Sequence, residues 1–202
     1  MVSVFSSFYA GNLMYYSSLL KAKNPTIDLL ENFNKQSYRN RCVIASPNGS
    51  LSLVIPVIRK SKNRFKDVKI DASQNWKKVH WKSLESAYRS SPYFEFYEDS
   101  FRSIYFDNNC DFLFEFNQLI HENILKVLKT NHQIKHSTSY VEDVNRVRDF
   151  RLLIHPKMSY PKYIDDLKYD QVFQEKNNFI PNLSILDLIF NEGPRARQLL
   201  GL

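Results

Sequence analysis

Hydrophobic positions along this chain fall into short runs divided by polar turns, and their spacing switches between alternation and recurrence every three or four residues. Residues 2–6 predict a short strand, and 12–21 a helix with Leu13, Tyr16, Leu19 and Leu20 on one face. Asn24-Pro25 breaks that helix, and 26–33 predicts a second strand. Strands at 42–45 and 51–57 flank Pro47-Asn48-Gly49, where Asn-Gly supplies the positive φ of a tight hairpin. Pro56 puts the return strand at an edge or its end. A basic loop at 59–66 and a short strand at 68–70 follow.

Helical spacing then dominates. Trp76, His80, Leu84 and Ala87 or Tyr88 recur on one face of 75–89; 93–106 alternates aromatics with acids; Phe112, Phe116, Leu119 and Val127 or Leu128 stripe 110–129. A strand is expected over 134–140, and 144–154 fits more than one state. Pro156, Pro161 and Pro181 mark a loop-rich stretch, and 184–190 predicts an amphipathic helix stopped by Gly193-Pro194. The pattern predicts an α+β (mixed α/β) fold: one domain over 1–202, with a small N-terminal mixed sheet and a β-hairpin packed against several helices.

Composition narrows the function. Fifteen Phe and twelve Tyr supply a core, while four Gly and the absence of G-x-G-x-x-G or G-x-x-x-x-G-K-[ST] exclude the two common glycine-rich phosphate loops. Cys42 and Cys110 form no C-x-x-C pair, which speaks for a reducing compartment and against a zinc ribbon. No signal-like start or long apolar run is present, so a cytoplasmic protein without a membrane span is expected. The net charge of +7 is uneven: 35–89 carries thirteen Lys and Arg against three acids, a field that draws anionic partners. A phosphate- or carboxylate-bearing small molecule is the expected substrate, with nucleic acid the alternative partner through aromatics interleaved in that span (Tyr38, Phe65, Trp76, Trp81, Tyr88). The sequence names no cofactor and no oligomeric state.

The densest candidate chemistry is 34–42. Lys35, Tyr38, Arg39, Asn40 and Arg41 precede the hairpin, and strand parity would align Lys35, Arg39 and Arg41 with Asn40 opposite. Three such cations either bind phosphate or carboxylate, or pair internally, for example with Glu31 or Asp187. His80 with Tyr88 is the candidate pair for proton transfer, His80 reading equally as a core histidine bonded to a buried carbonyl. Asp187 inside an apolar helix needs a partner, for which Arg41 is the first choice, and Asn191 completes that pocket. His132 and His136 lack a third ligand, so no metal site is expected; Cys42 reads as packing.

Three blocks then carry a family likeness. Lys35-Gln36-Ser37-Tyr38-Arg39-Asn40-Arg41 followed by Gly49 and Pro56, Trp76…His80…Tyr88 through Pro92-Tyr93-Phe94, and Phe179 to Leu188 with Asn191 and Gly193 resemble, in order, the blocks of the WbqC-like family. Where many members have Tyr-Phe-Pro after the first strand, this chain has Phe8-Tyr9-Ala10-Gly11. The resemblance implies a setting in O-antigen or other surface-polysaccharide biosynthesis. It also implies a transferase of acyl or aminoacyl groups, glycine among them, or a modifier of sugar nucleotides. A nucleic-acid-binding or non-catalytic ligand-binding protein using 35–89 is the alternative.

Overall fold

A computed structural model describes residues 2–58, 64–142 and 147–202. Strand β1 (Val2–Phe5) leads through a seven-residue loop into α1 (Leu13–Lys21) and β2 (Pro25–Ile27). The hairpin β3 (Arg41–Ser46) and β4 (Gly49–Val54) comes next, then a 3-10 turn at Phe65–Asp67 and the long helices α2 (Trp76–Tyr88), α3 (Phe94–Phe106) and α4 (Leu113–Val127). Two short strands, β5 (Lys135–His136) and β6 (Val147–Asp149), precede the single-turn helices α5 (Lys162–Asp165) and α6 (Gln174–Asn177). The chain ends in α7 (Ile185–Glu192) and α8 (Arg195–Leu199).

The fold is α+β, but the expected mixed sheet is two separate sheets. β5, β2, β1 and β6 lie in that order with every pair parallel, and β3–β4 is an isolated antiparallel hairpin. The α1 crossover is what lets β1 and β2 run the same way, since parallel neighbours need a long connection. The hairpin packs on α2 and α7 instead. Its tight turn uses Gly49 at φ 100°, a conformation that costs glycine nothing.

Three expected strands come out shorter. β2 stops at Ile27 because the Asp28 carboxylate accepts the Leu30 amide at 2.9 Å and turns the chain out of the sheet. Residues 68–70 make only single bridges, Lys69 to Phe112 and Ile70 to Val57, and 134–140 pairs only through Lys135–His136. The basic loop predicted at 59–66 lies within the described residues only from Arg64, and the ambiguous 144–154 only from Val147, where it becomes β6.

All eight residues of α7 are buried, as befits a helix that is apolar nearly all round. It touches α1, α2, α3 and β3, and the segment before it closes the start of α1: the Leu183 carbonyl accepts the Leu13 amide, Asn182 Oδ1 the Met14 amide, and Ser184 Oγ donates to the Ala10 carbonyl. Thus the two ends of the sequence share one set of backbone hydrogen bonds. Gly193, at φ 51°, ends α7 with the Tyr93 ring where a side chain would stand. Among the described residues no helix is long and apolar enough to cross a membrane.

Three polar groups are sealed into this core with their partners. The Asp187 carboxylate accepts from Tyr88 at 2.8 Å, Tyr169 at 2.6 Å and Gln171 at 2.9 Å; burial lifts its pKa to about 6 against the pull of those bonds. The Tyr9 hydroxyl stands 3.0 Å from His80 Nδ1 and 2.5 Å from the Tyr105 hydroxyl, and Tyr16 stands 2.9 Å from His121 Nδ1. Burial pushes both imidazoles down to about 4. A histidine lowered from its unfolded value near 6.5 contributes stability above that pH and loses it as pH falls toward 4, about 1.4 kcal/mol per pH unit for each ring. Asp187, raised in the fold, opposes them over part of the same window, its contribution being lost as pH rises through about 6. Urea midpoints should therefore fall on acidification through this range, and fall more steeply in Asp187→Asn, where the opposing carboxylate no longer titrates. A variant with a flatter profile than wild type would contradict this balance.

Candidate anion-binding site

Each of the four parallel strands is followed within two residues of its carboxyl end by a polar or charged side chain: Ser6 after β1, Asp28 after β2, Ser137 after β5 and Arg151 after β6. Asp28 follows β2 and is fully buried; it accepts from Ser137 Oγ, which follows β5, at 2.7 Å and from Arg151 Nη1 at 2.6 Å. Arg151, two residues past β6, also grips Asp149 through Nε at 3.0 Å and through Nη2 at 2.5 Å, and its guanidinium lies over the Tyr140 ring. Burial acts to raise the Asp149 carboxyl, but the Arg151 bonds and charge, helped by Arg39, hold it below its ordinary value. One guanidinium thereby fastens the exits of β2, β5 and β6.

A second guanidinium does the same for β1. Arg39 is 0% exposed; its Nε donates to Glu31 Oε1 at 2.9 Å and its Nη2 to Glu31 Oε2 at 2.5 Å and to Ser6 Oγ at 2.8 Å, Ser6 being the first residue past β1. Burial raises the Glu31 carboxyl and the Arg39 bonds draw it back in part. The Asn117 side chain donates to the Arg39 carbonyl at 2.8 Å, tying this residue to α4 as well. The strand order turns back on itself at β1, with β2 on one side and β6 on the other. Open parallel sheets take their ligands in the crevice outside the carboxyl ends at such a point.

What remains unpaired there is cationic. Arg41 opens β3 two residues beyond Arg39 and is half-buried, yet its guanidinium has no hydrogen-bond or ion-pair partner among the described residues, and its Nε is shut away from solvent. Arg39 Nη1 is likewise buried without a partner. Buried donors left unmade cost about 1–3 kcal/mol each, more when charged, so each marks a place where an acceptor belongs. Tyr38 is half-buried beside them; burial raises its hydroxyl, while a hydrogen bond to Asn12 and the Arg41 charge oppose the rise. His155 lies in the turn after β6. Burial depresses its pKa first, then the charges of Arg39, Lys157 and Arg41.

The residues singled out from sequence separate into distinct places. Tyr38, Arg39 and Arg41 come together, but not by strand parity: 34–40 is a chain of turns, with Gln36 at φ 55° and Ser37 Oγ donating to the Asn34 carbonyl. Lys35 is exposed on that loop, Arg39 points into the protein and pairs with Glu31, and only Arg41 lies in a strand. Asn40 is buried with its Nδ2 on the Ile55 carbonyl at 2.8 Å, closing the mouth of the hairpin. Asp187 finds Tyr88, Tyr169 and Gln171 rather than Arg41, because α7 presents it to α2 and to the segment before α6. Asn191 donates to the Asp187 carbonyl and lines a separate open cleft of about 500 Å³ with Tyr93, Gln171 and Arg195.

His80 and Tyr88 lie two turns apart on α2 in different hydrogen-bond groups. His80 is 3% exposed and neutral, bonded to Tyr9 and to the Val54 backbone; Tyr88 donates to Asp187 and accepts the Ala45 amide. Of the aromatics interleaved in the basic span, Phe65, Trp76, Trp81 and Tyr88 are buried in the core and Tyr38 is half-buried. Cys42 is buried and its thiol raised by desolvation. Among the described residues no group of three His, Cys, Asp or Glu is placed to hold a metal ion.

Asp28, Asp149, Arg151 and His155 escaped the sequence reading. Asp28 directly follows β2, Asp149 ends β6 and Arg151 lies two residues past it, positions visible only once strands as short as three residues are recognised.

The model of the WbqC-like protein family matches residues 15–165 and 155–199. Uncharacterized protein Rv1507c of Mycobacterium tuberculosis (strain ATCC 25618 / H37Rv) is 24% identical over 189 residues, covering 81% of each chain. No solved structure gives a significant match.

Two substitutions separate support from function here. Glu31→Gln leaves the buried Arg39 charge without its counter-ion and should destabilise the protein by about 3–5 kcal/mol in urea unfolding. Arg41→Met removes no partner among the described residues and should stay within about 1 kcal/mol of wild type. A large loss in Arg41→Met would show that the guanidinium is tied into the fold.

Proposed function

The chain belongs to the WbqC-like protein family, and from that premise we propose that it is a transferase of surface-polysaccharide biosynthesis, moving an acyl or aminoacyl group or modifying a sugar nucleotide. The observation that carries the chemical part of this reading is the Arg41 guanidinium, half-buried and unpartnered among the described residues, two residues beyond the Arg39 that binds the exit of β1. Arg41 holds a phosphate or carboxylate of the donor; Arg39, neutralised by Glu31, orients its spare Nη1 behind it; Tyr38 supplies a hydroxyl at the rim.

In such a transfer the donor's carbonyl carbon gains a bond to an amine or hydroxyl of the acceptor. It loses its bond to a phosphate oxygen or a thiol sulfur, which leaves with the electron pair, and the acceptor's proton passes to the leaving group or to solvent. Charge develops on the departing anion, and a fixed guanidinium in a partly dry site lowers the energy of that charge without reorganising. His80 and Tyr88 serve this reading from behind, keeping α2 in register with the hairpin and α7.

A thermal-shift screen against nucleotides, nucleotide sugars, acyl and aminoacyl phosphates, coenzyme A thioesters and short RNA tests it. A ligand at about 100 times its Kd adds about 2.7 kcal/mol of stability. One phosphate-bearing small-molecule class should raise the Tm of wild type and leave that of Arg41→Met unmoved. A shift with RNA alone, no shift with any compound, or equal shifts in both proteins would overturn the assignment.

A further inference from the structure

Residues of two stretches singled out in the sequence, Pro92 and Tyr93 from one and Asn191 from the other, line the cleft of about 500 Å³ at the end of α7. The Tyr93 amide donates to the Phe190 carbonyl at 3.0 Å, and the Tyr93 ring stands where a Gly193 side chain would be, so the start of α3 and the end of α7 are fixed against each other as its wall. Asn191 and Glu192 lie in that wall, each only 8% exposed. Asn191 Nδ2 donates to the Asp187 carbonyl at 2.8 Å. A carbonyl can only accept, which fixes the orientation of the amide and turns Oδ1 the other way. That Oδ1 accepts no hydrogen bond among the described residues and is not shut away from solvent. Glu192 Oε2 accepts from Arg195 Nη1 at 3.2 Å, with the arginine side chain 66% exposed, and Glu192 Oε1 has no partner among the described residues.

Two side chains nine-tenths buried thus each offer an unpaired oxygen to one cavity. The exposed Asp170 carboxylate also lines it, which makes two acids against the single base Arg195 in a protein of net charge +7. The carbonyls of Asn191 and Glu192 accept no hydrogen bond among the described residues, so the negative end of α7 adds to that field. The positive end of α3 lies in the same wall, with Glu95 in its first turn to answer it. We infer that the cleft binds a primary ammonium group, whose N–H donors go to Asn191 Oδ1 and Glu192 Oε1 while Asp170 strengthens the attraction. A hydroxyl brings one donor and no charge; an ammonium brings three donors and matches the excess of acid. No residue of the Arg41 site lines this cleft, so amine binding here stands independently of the transferase reading.

The test titrates the protein at neutral pH with ethanolamine, choline and ethylene glycol, followed by backbone amide NMR. Ethanolamine carries both the charge and the N–H donors, choline the charge alone, and ethylene glycol only neutral hydroxyls. Ethanolamine should shift the amides of Tyr93, Asn191 and Glu192 saturably, and the other two should leave them in place at the same concentrations. Glu192→Gln keeps the shape of the side chain and removes its charge, and it should weaken ethanolamine about tenfold, the scale of one hydrogen bond to a charged group. Arg195→Ala removes an exposed competitor for the same carboxylate, so it should keep the fold and bind ethanolamine more tightly than wild type, a gain that a purely structural Glu192 does not produce. No saturable shift with ethanolamine, or choline or ethylene glycol binding as well as ethanolamine, overturns the inference. So does a folded Glu192→Gln protein that binds ethanolamine like wild type, or an Arg195→Ala protein that binds it no more tightly.

Discussion

The Arg39 guanidinium, enclosed completely and held by Glu31 and Ser6, is the constraint on which the upper edge of this protein depends. A charge taken that far from water is tolerable only with its counter-ion and hydrogen bonds in place, so the three segments that supply them must meet in one arrangement. Those segments are the exit of β1, the turns after β2 and the approach to the hairpin. Arg41 lies two residues further along the last of them and takes its position from this pair. The Arg151 cluster repeats the device across β2, β5 and β6, and the two together make a rigid floor from otherwise minimal strands.

Elsewhere in the core, α7 distributes the packing. Its apolar faces meet α1, α2, α3 and β3, while its one carboxylate is satisfied by two phenols and an amide from elements far apart in sequence. A fully bonded polar group in a core adds direction to contacts that are otherwise nondirectional, because any slip leaves a donor or acceptor unmade. Tyr9 with His80 and Tyr105 does the same between the β1–α1 loop, α2 and α3. These groups divide the candidate side chains by role: those bonded inside the fold, and the Arg41 guanidinium with the Nη1 of Arg39, which are not.

Much of this was legible in the chain itself. The helices α1 to α4 and α7 and the hairpin turn arise from local spacing, caps and the Asn48-Gly49 pair, and they appear within a few residues of where the pattern puts them. The cationic stretch at 34–42 was legible as unusual, because three cations with three carboxamides and a phenol exceed what a strand entrance needs. Its internal division was not. Alternation assumes an extended backbone, and the left-handed Gln36 and the Ser37 turn abolish the parity that would have put Lys35, Arg39 and Arg41 on one face.

The sequence by itself therefore determined the elements, the family likeness and the stretch that carries the charge, since these depend on residues near one another in the chain. Only the tertiary structure decided which cation is spent on the fold and which is left over. That outcome rests on partners a sequence does not order: Arg39 meets Glu31 and Ser6, and Asp187 meets Tyr88 and Tyr169 instead of Arg41. A buried charge takes whichever counter-ion the packing brings within about 3 Å, and packing is a property of the whole chain.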